Sequence, residues 1–336
     1  MFEPTLRGAA RASALAAIIL GGTLSSQVAA QEKYPSRPID VIVTFGAGGG
    51  ADLMGRKFSQ FAEPLLGVAL PVANVSGASG NAGLTRLLTD ASDGYSVATL
   101  IALSVSAWAA GIGNHNPDEF AYVGMMQSSP SMLFVNKDSP FKTYKDLADF
   151  ATANPGKLRC ATSGYGTMDD ITLKYLATKG VKIVNVPFGK PAERYASTVG
   201  GHTDLIYEEP GDVAQFLKSG DLRPLIVFDE ARHASFPDVS NSKELGLEIN
   251  DLPNFRTIAV SAKTPADRVA VLNAAANKIL ASDEWKKFCE STYTCTKALS
   301  PDETKARVVA FYKTVKGYLD KFPTTAEEKA ASKKKK

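Results

Sequence analysis

The chain has 336 residues, of which 44% are hydrophobic and 22% charged, a composition that excludes a disordered segment or a polytopic membrane protein and suits two globular domains. The formal charge is +3, but Lys333 to Lys336 supply four of the 38 cations, and Arg7 and Arg11 lie in the first thirty residues. Without those two segments 32 cations face 34 acids, so nothing argues for nucleic-acid binding.

Residues 1–30 read as a secretory signal: Arg7 and Arg11 lead, the apolar stretch ASALAAIIL follows, and Val28-Ala29-Ala30 fits the small-residue cleavage rule. Ala12 to Leu20 is far shorter than the roughly 20 apolar residues a membrane span needs. The expectation is therefore export to the periplasm with cleavage after Ala30, and no cysteine stands near the cut to carry a lipid anchor.

Strand-like and helix-like segments then alternate almost throughout, the mark of an α/β fold with parallel sheets covered by helices. IDVIVTF (39–45) reads as a buried strand; Met54, Phe58, Phe61, Ala62 and Leu65 recur at helical spacing, with Pro64 expected to end or kink that helix. LPVANV is a second strand, GLTRLLTDA a short helix, SDG a turn and YSVATLIA (95–102) a third strand. After the Gly, Asn and Pro-rich link GIGNHNPDEF, the runs AYVGMMQ and SMLFVNK carry the chain toward a second unit.

That unit opens with the helix TYKDLADFATA, followed by the strand LRCATSG. A tight loop GYG comes next, and Thr167 with Asp170 three residues on predicts a capping box for the helix DDITLKYLA, which Gly180 stops. The strand VKIVNVPF, a helix through ERYASTV, the strand DLIYEE, the helix DVAQFLKSG and the strand LRPLIVF complete it. FRTIAVSA (255–262) reads as a return crossover, and two or three helices follow, the last starting at Ser300-Pro301-Asp302-Glu303 with a cap serine, proline in first position and an acid in third.

Export permits a disulfide, and Cys289 with Cys295 flank a short turn, so a local bridge is one option; Cys160 sits in an apolar strand and reads as a buried thiol. His115, His202 and His233 are not at ligand spacing to any cysteine, so neither a metal site nor a cofactor is expected. No G-x-S-x-G elbow or H-E-x-x-H occurs, which makes an enzyme the weaker class.

Two glycine loops stand in equivalent places, each between the C-terminal end of a strand and the start of a helix, where open α/β sheets bind ligands. Phe45, Gly46, Ala47, Gly48 and Gly49 form the first; Ser163, Gly164, Tyr165, Gly166 and Thr167 form the second. Free backbone N–H groups at a helix start suit an anion, so the pair reads as a carboxylate clamp. Gly46, Gly48 and Ala51 also match G-x-G-x-x-A, but a dinucleotide fold needs a ribose-binding acid and none lies between Glu63 and Asp90. Glu208 and Glu209 end a strand at the cleft; as strand neighbours they should point to opposite sides, so at most one is expected to line it.

With these motifs in view, the chain resembles the periplasmic solute receptors of tripartite tricarboxylate transporters, the Bug or TctC-like receptors. The blocks that carry the resemblance run in order: YPSRPIDVIVTFGAGGGAD, SGASGNAG, DGYSVATL, TYKDLADFATANPGKLRCATSGYGT, VNVPFGKPAERYASTVGGHTDLIYEE and FPDVSNSKELGL. The resemblance implies a two-lobed periplasmic binding fold of type II-like plan, with lobe 1 at 31–130 plus 255–323, lobe 2 at 131–254 and a basic, disordered tail at 324–336. It further implies a monomer that closes on a small organic acid held by both glycine loops and delivers it to membrane permease subunits. The alternative output is docking on a sensor ectodomain. Asn81 with Ser79 and Gly80, Ser104 after the third strand, Ser129 at the crossover and Phe188 with Gly189 are carried over as further ligand contacts.

Departures from the family pattern bear on the ligand. FGAGGG replaces a proline-bearing loop, and Met168-Asp169-Asp170 brings acids to the second helix. Together with Glu208 and Glu209 these make a tricarboxylate uncomfortable, since like charges repel. A ligand with one firmly held carboxylate and a neutral, aromatic or cationic remainder is expected.

Overall fold

A computed structural model describes residues 33–294 and 296–334. The expected signal peptide lies outside the described residues, and so does Cys295, hence the Cys289–Cys295 bridge. Among the described residues no helix is long and apolar enough to cross a membrane.

Two five-stranded sheets organise the chain. In the first, β1 (Asp40–Val43) pairs in parallel with β2 (Val72–Asn74) and β3 (Ser96–Ile101), and the order is β2-β1-β3-β10-β4, with β4 at Phe120–Ser129 and β10 at Asn254–Ser261. In the second, β6 (Leu158–Thr162) pairs in parallel with β7 (Ile183–Pro187) and β8 (Leu205–Glu208), and the order is β7-β6-β8-β5-β9, with β5 at Met132–Asn136 and β9 at Leu222–Val227. Both sheets therefore share one plan. The strand arriving from the other half, β10 or β5, takes the fourth position and is antiparallel to both its neighbours. The chain crosses at Pro130-Ser131 between β4 and β5 and returns before β10, which gives the two-lobed architecture.

Helices follow from apolar periodicity. In α1 (Gly50–Leu66), Met54, Phe58 and Ala62 recur every fourth residue and bury completely against the first sheet, near Trp285. Pro64 does not end α1, because so near the C-terminus it sacrifices a single hydrogen bond; the stop comes at Gly67, left-handed at φ 71°. α2 (Asn81–Thr89) follows β2. The next helix, α3 (Ala102–Ala109), is absent from the sequence reading: its residues are apolar or small nearly all round and mostly buried, so no periodic face announces it. α4 (Tyr144–Ala153), α5 (Met168–Thr178), α6 (Pro191–Val199) and the short α7 (Ala214–Lys218) belong to the second half.

The C-terminal part holds α8 (Ala266–Ala281), α9 (Asp283–Ser291) and α10 (Pro301–Lys321), and α10 starts on a capping box between Ser300 and Glu303. The expected disordered tail is corrected over most of its length, since Ala326–Lys334 form α11. Thr325 and Glu328 cap it reciprocally, and Lys174 on α5 reaches Glu328 at 2.9 Å and the Pro323 carbonyl at 3.3 Å. A cap and a tertiary anchor thus fix a segment whose composition alone reads as solvated.

Candidate functional site

The C-terminal strand ends of both sheets converge on one cavity of about 100 Å³. That is room for several water molecules or a small organic molecule.

Its first wall is the loop before α1. Gly48, at φ 82°, donates its N–H to Asp52 at 3.1 Å, and Asp52 also accepts from Arg56 and Asn74, each at 2.9 Å. The acid therefore locks the loop against the helix start, and Gly50 and Ala51 of the first helical turn, where N–H groups have no intrahelical partner, line the cavity. Burial pushes the Asp52 pKa up, but the hydrogen bonds from Arg56, Asn74 and Gly48 outweigh it, and the net result is a lowered value. Close packing also explains Gly49 and Gly50. A Cβ on Gly49 would lie 2.9 Å from Pro191, and one on Gly50 would lie 2.1 Å from the Asp212 carboxylate and 2.3 Å from the Arg256 guanidinium.

A second wall is Ser76 to Gly80, where Gly77, Ala78, Ser79 and Gly80 all have positive φ, 47° and 55° at the two non-glycines. Left-handed backbone costs an L residue roughly 1–2 kcal/mol. The Gly80 N–H closes this left-handed turn by donating to the Gly77 carbonyl at 3.0 Å. Gly80 is indispensable here, because a Cβ would strike Ser104 Oγ at 2.6 Å and the Phe45 ring at 2.9 Å.

The loop before α5 forms the third wall, and here the expected capping box is replaced. Thr167 Oγ donates to the Gly164 carbonyl at 2.7 Å rather than capping its own helix, while Asp169 accepts the Ser163 N–H at 2.5 Å and Asp170 the Gly166 N–H at 2.9 Å. Asp170 is further held by Lys174 and Asn185. Both acids thus serve their own loop and neither lines the cavity, which corrects the expectation that they load it with negative charge.

The floor is a charged cluster that sequence reasoning only half found. Glu208 and Glu209 both line the cavity, correcting the strand-alternation argument: β8 ends at Glu208, so the alternation no longer holds at Glu209. Arg194 on α6 donates twice to Glu208. Arg256 on β10 lies 2.6 Å from Asp212 and 3.6 Å from Glu209, which also accepts from Ser131 at 2.9 Å. All five charged groups are buried or nearly so. Burial raises the pKa of both glutamates; at Glu208 Arg194 opposes and Glu209 adds, at Glu209 Asp212 adds and Arg256 opposes. The Glu209 N–H donates to Glu208 Oε1 at 3.3 Å, and burial of two adjacent carboxyls makes the pair hold a proton to higher pH than ordinary carboxyls do.

A family model for tripartite tricarboxylate transporter family receptors matches residues 55–299. The chain belongs to that family. Among relatives of this receptor, the UPF0065 protein in the gbd 5' region of Cupriavidus necator is 32% identical over 260 residues, 76% of this chain and 79% of the relative. A TctC solute-binding protein from Polaromonas is 28% identical with a TM-score of 0.65, covering 86% of this chain and 99% of that one. MatC from Rhodopseudomonas palustris, with bound malate, shares the fold at a TM-score of 0.78 and 22% identity over 85% of this chain and 100% of that one.

In the receptor, the residues expected from sequence divide into two groups. Phe45, Gly46, Gly49, Ser163, Gly164, Tyr165 and Phe188 line the cavity with the two glutamates. Ala47 and Gly48 are exposed on the outer side of their loop, and Gly166 packs behind the site against Ala110, Ile112 and Thr324. Ser104 is buried behind Gly80; Asn81 accepts from the Trp108 indole at 2.9 Å; Ser129 Oγ donates to the Pro130 carbonyl. Arg194, Tyr195, Asp212, Asn254 and Arg256 line the cavity without having been singled out. Arg194 and Arg256 lie inside otherwise ordinary helix and strand patterns, and a cation at an inward position was the only available signal.

Proposed function

We propose that this receptor is exported to the periplasm, closes two lobes on one small organic acid and delivers it to the membrane subunits of a tripartite transporter. Lobe 1 comprises residues 31–130 plus 255–323 and lobe 2 residues 131–254, a division that keeps each sheet in one lobe except for Asn254 at the start of β10. The observation that carries the reading is the enclosure of one small cavity by walls from both lobes, with the start of α1 at its edge as an anion-favouring helix N-terminus. Arg256 Nε, buried without a partner, adds a donor. A carboxylate is the matching group, in keeping with the malate held by the R. palustris relative. Contacts made by both lobes favour closure only by the difference in affinity between closed and open forms, and the permease reads the closed shape.

A thermal-shift screen over organic acids tests this directly. A specific ligand at a hundred times its dissociation constant stabilises by about 2.7 kcal/mol. Failure of every carboxylate tested, with stabilisation by an uncharged solute instead, overturns the reading.

A further inference from the structure

Three carboxylates and two guanidiniums share the cavity floor, so with every group ionised one negative charge is left over. One oxygen from each of Glu208, Glu209 and Asp212 lies within 4.8 Å of the other two. Three atoms no more than 4.8 Å apart share a point no more than about 2.8 Å from each, within reach of N–H···O hydrogen bonds from one donor group. An independent observation points to the same spot. Asn254, only 4% exposed, donates to Glu209 from its amide nitrogen, which leaves Oδ1 as a buried acceptor without a partner, on a residue that lines the cavity.

We propose that Glu208, Glu209 and Asp212, joined by Asn254 Oδ1, form an ammonium subsite, and that the ligand is an amino acid carrying one carboxylate and one primary amine. This rests on the reading of the cavity as a carboxylate receptor and names the second half of its ligand. A primary ammonium brings three N–H donors to a group of acceptors and supplies the single positive charge the floor lacks. A divalent cation would overcharge the cavity and compete with two guanidiniums for the same carboxylates. A quaternary ammonium would neutralise the floor but leave its acceptors without hydrogen bonds.

Before the ligand arrives, the proton shared by Glu208 and Glu209 balances the floor; when the ammonium binds, that proton leaves to solvent. Arg194 and Tyr195 from α6, Arg256 from β10, Tyr207 from β8 and Asp212 from the loop after β8 are charged or titratable groups facing the pair.

The test is isothermal titration calorimetry on the mature chain with β-alanine, 4-aminobutyrate, 5-aminopentanoate and L-alanine, each beside its deaminated carboxylate and its N-trimethyl analogue. At least one amine is expected to bind more than a hundredfold tighter than both analogues. Titrations in buffers of different ionisation enthalpy should show proton release on binding. Glu209→Gln and Asp212→Asn should each cut the preference for the amine at least tenfold; Asn254→Leu should do so where either of those fails to fold. Equal binding of amines and deaminated acids, or a preference untouched by the folded variants, overturns the subsite while the receptor reading stands. If no carboxylate binds, with or without an amine, both fall.

Discussion

Arg256 Nη2 lies 2.6 Å from Asp212 Oδ1, and the pair fills the space where a side chain at Gly50 would begin. The return strand of the first sheet thereby meets an acid of the second at the first turn of α1. The ion pair joins the two halves beside the cavity, and the glycine is what leaves room for it.

Gly50→Ala should therefore act on the contact more than on the fold. Its Cβ meets the far ends of Asp212 and Arg256, at 2.1 and 2.3 Å, so the side chains can yield while the backbone stays. Overpacking of this kind costs about 1–3 kcal/mol, and the low end is expected here, read by urea denaturation. Ligand affinity should fall at least tenfold by calorimetry. Unchanged affinity would remove the Arg256–Asp212 contact from the closed site.

Arg194→Met should be among the most damaging single changes. It leaves Glu208 buried without its cation, and breaking a buried pair from one side costs about 3–5 kcal/mol. The double change Arg194→Met, Glu208→Leu should recover most of that loss. Equal instability of single and double variants in a denaturant series would contradict the account.

The Glu208–Glu209 pair predicts a pH dependence of the ligand-free receptor. Folded pKa values raised above the unfolded ones mean that the native state binds the extra proton. The contribution is fully present below the ordinary glutamate value of 4.5 and is lost as pH rises through the raised folded values. Glu209→Gln should flatten the decline in melting temperature on the alkaline side; an unaltered slope would contradict it.

Asp52 has the opposite sign. Its folded pKa is lowered, so its contribution is present above the unfolded value of 3.8 and is lost as pH falls through the folded one. Asp52→Asn should destabilise at neutral pH and differ little from the parent protein in strong acid, measured by chemical denaturation at both. The loop at Gly48 should also become more sensitive to protease.

Removal of residues 326–336 probes α11, whose Ala331 lines the cavity and whose Glu328 pairs with Lys174. A partly exposed ion pair is worth at most about 1 kcal/mol, so stability should change little. Stopped-flow release of ligand should accelerate, because a lining residue at the rim of the cavity is gone.

Amphipathic periodicity, glycine stops and apolar strand runs were legible without coordinates, since each depends on residues a few positions apart. So were both glycine loops and the two-unit plan, because strand-loop-helix order is a local property. What the loops do was not legible. Gly49 and Gly50 are small to admit Pro191 and Asp212, which lie more than a hundred residues away, and Asp169 and Asp170 turn back on their own loop rather than into the cavity.

The amino-acid sequence by itself determined the α/β class, the alternation of elements and the receptor family of this protein. Only the tertiary structure decided the chemistry of the site, by bringing Arg194, Glu208, Glu209, Asp212, Asn254 and Arg256 around one cavity. The physical reason is that charge balance and hydrogen-bond satisfaction are summed over neighbours in space. A lone arginine in a helix pattern carries no sign of the acid it will neutralise.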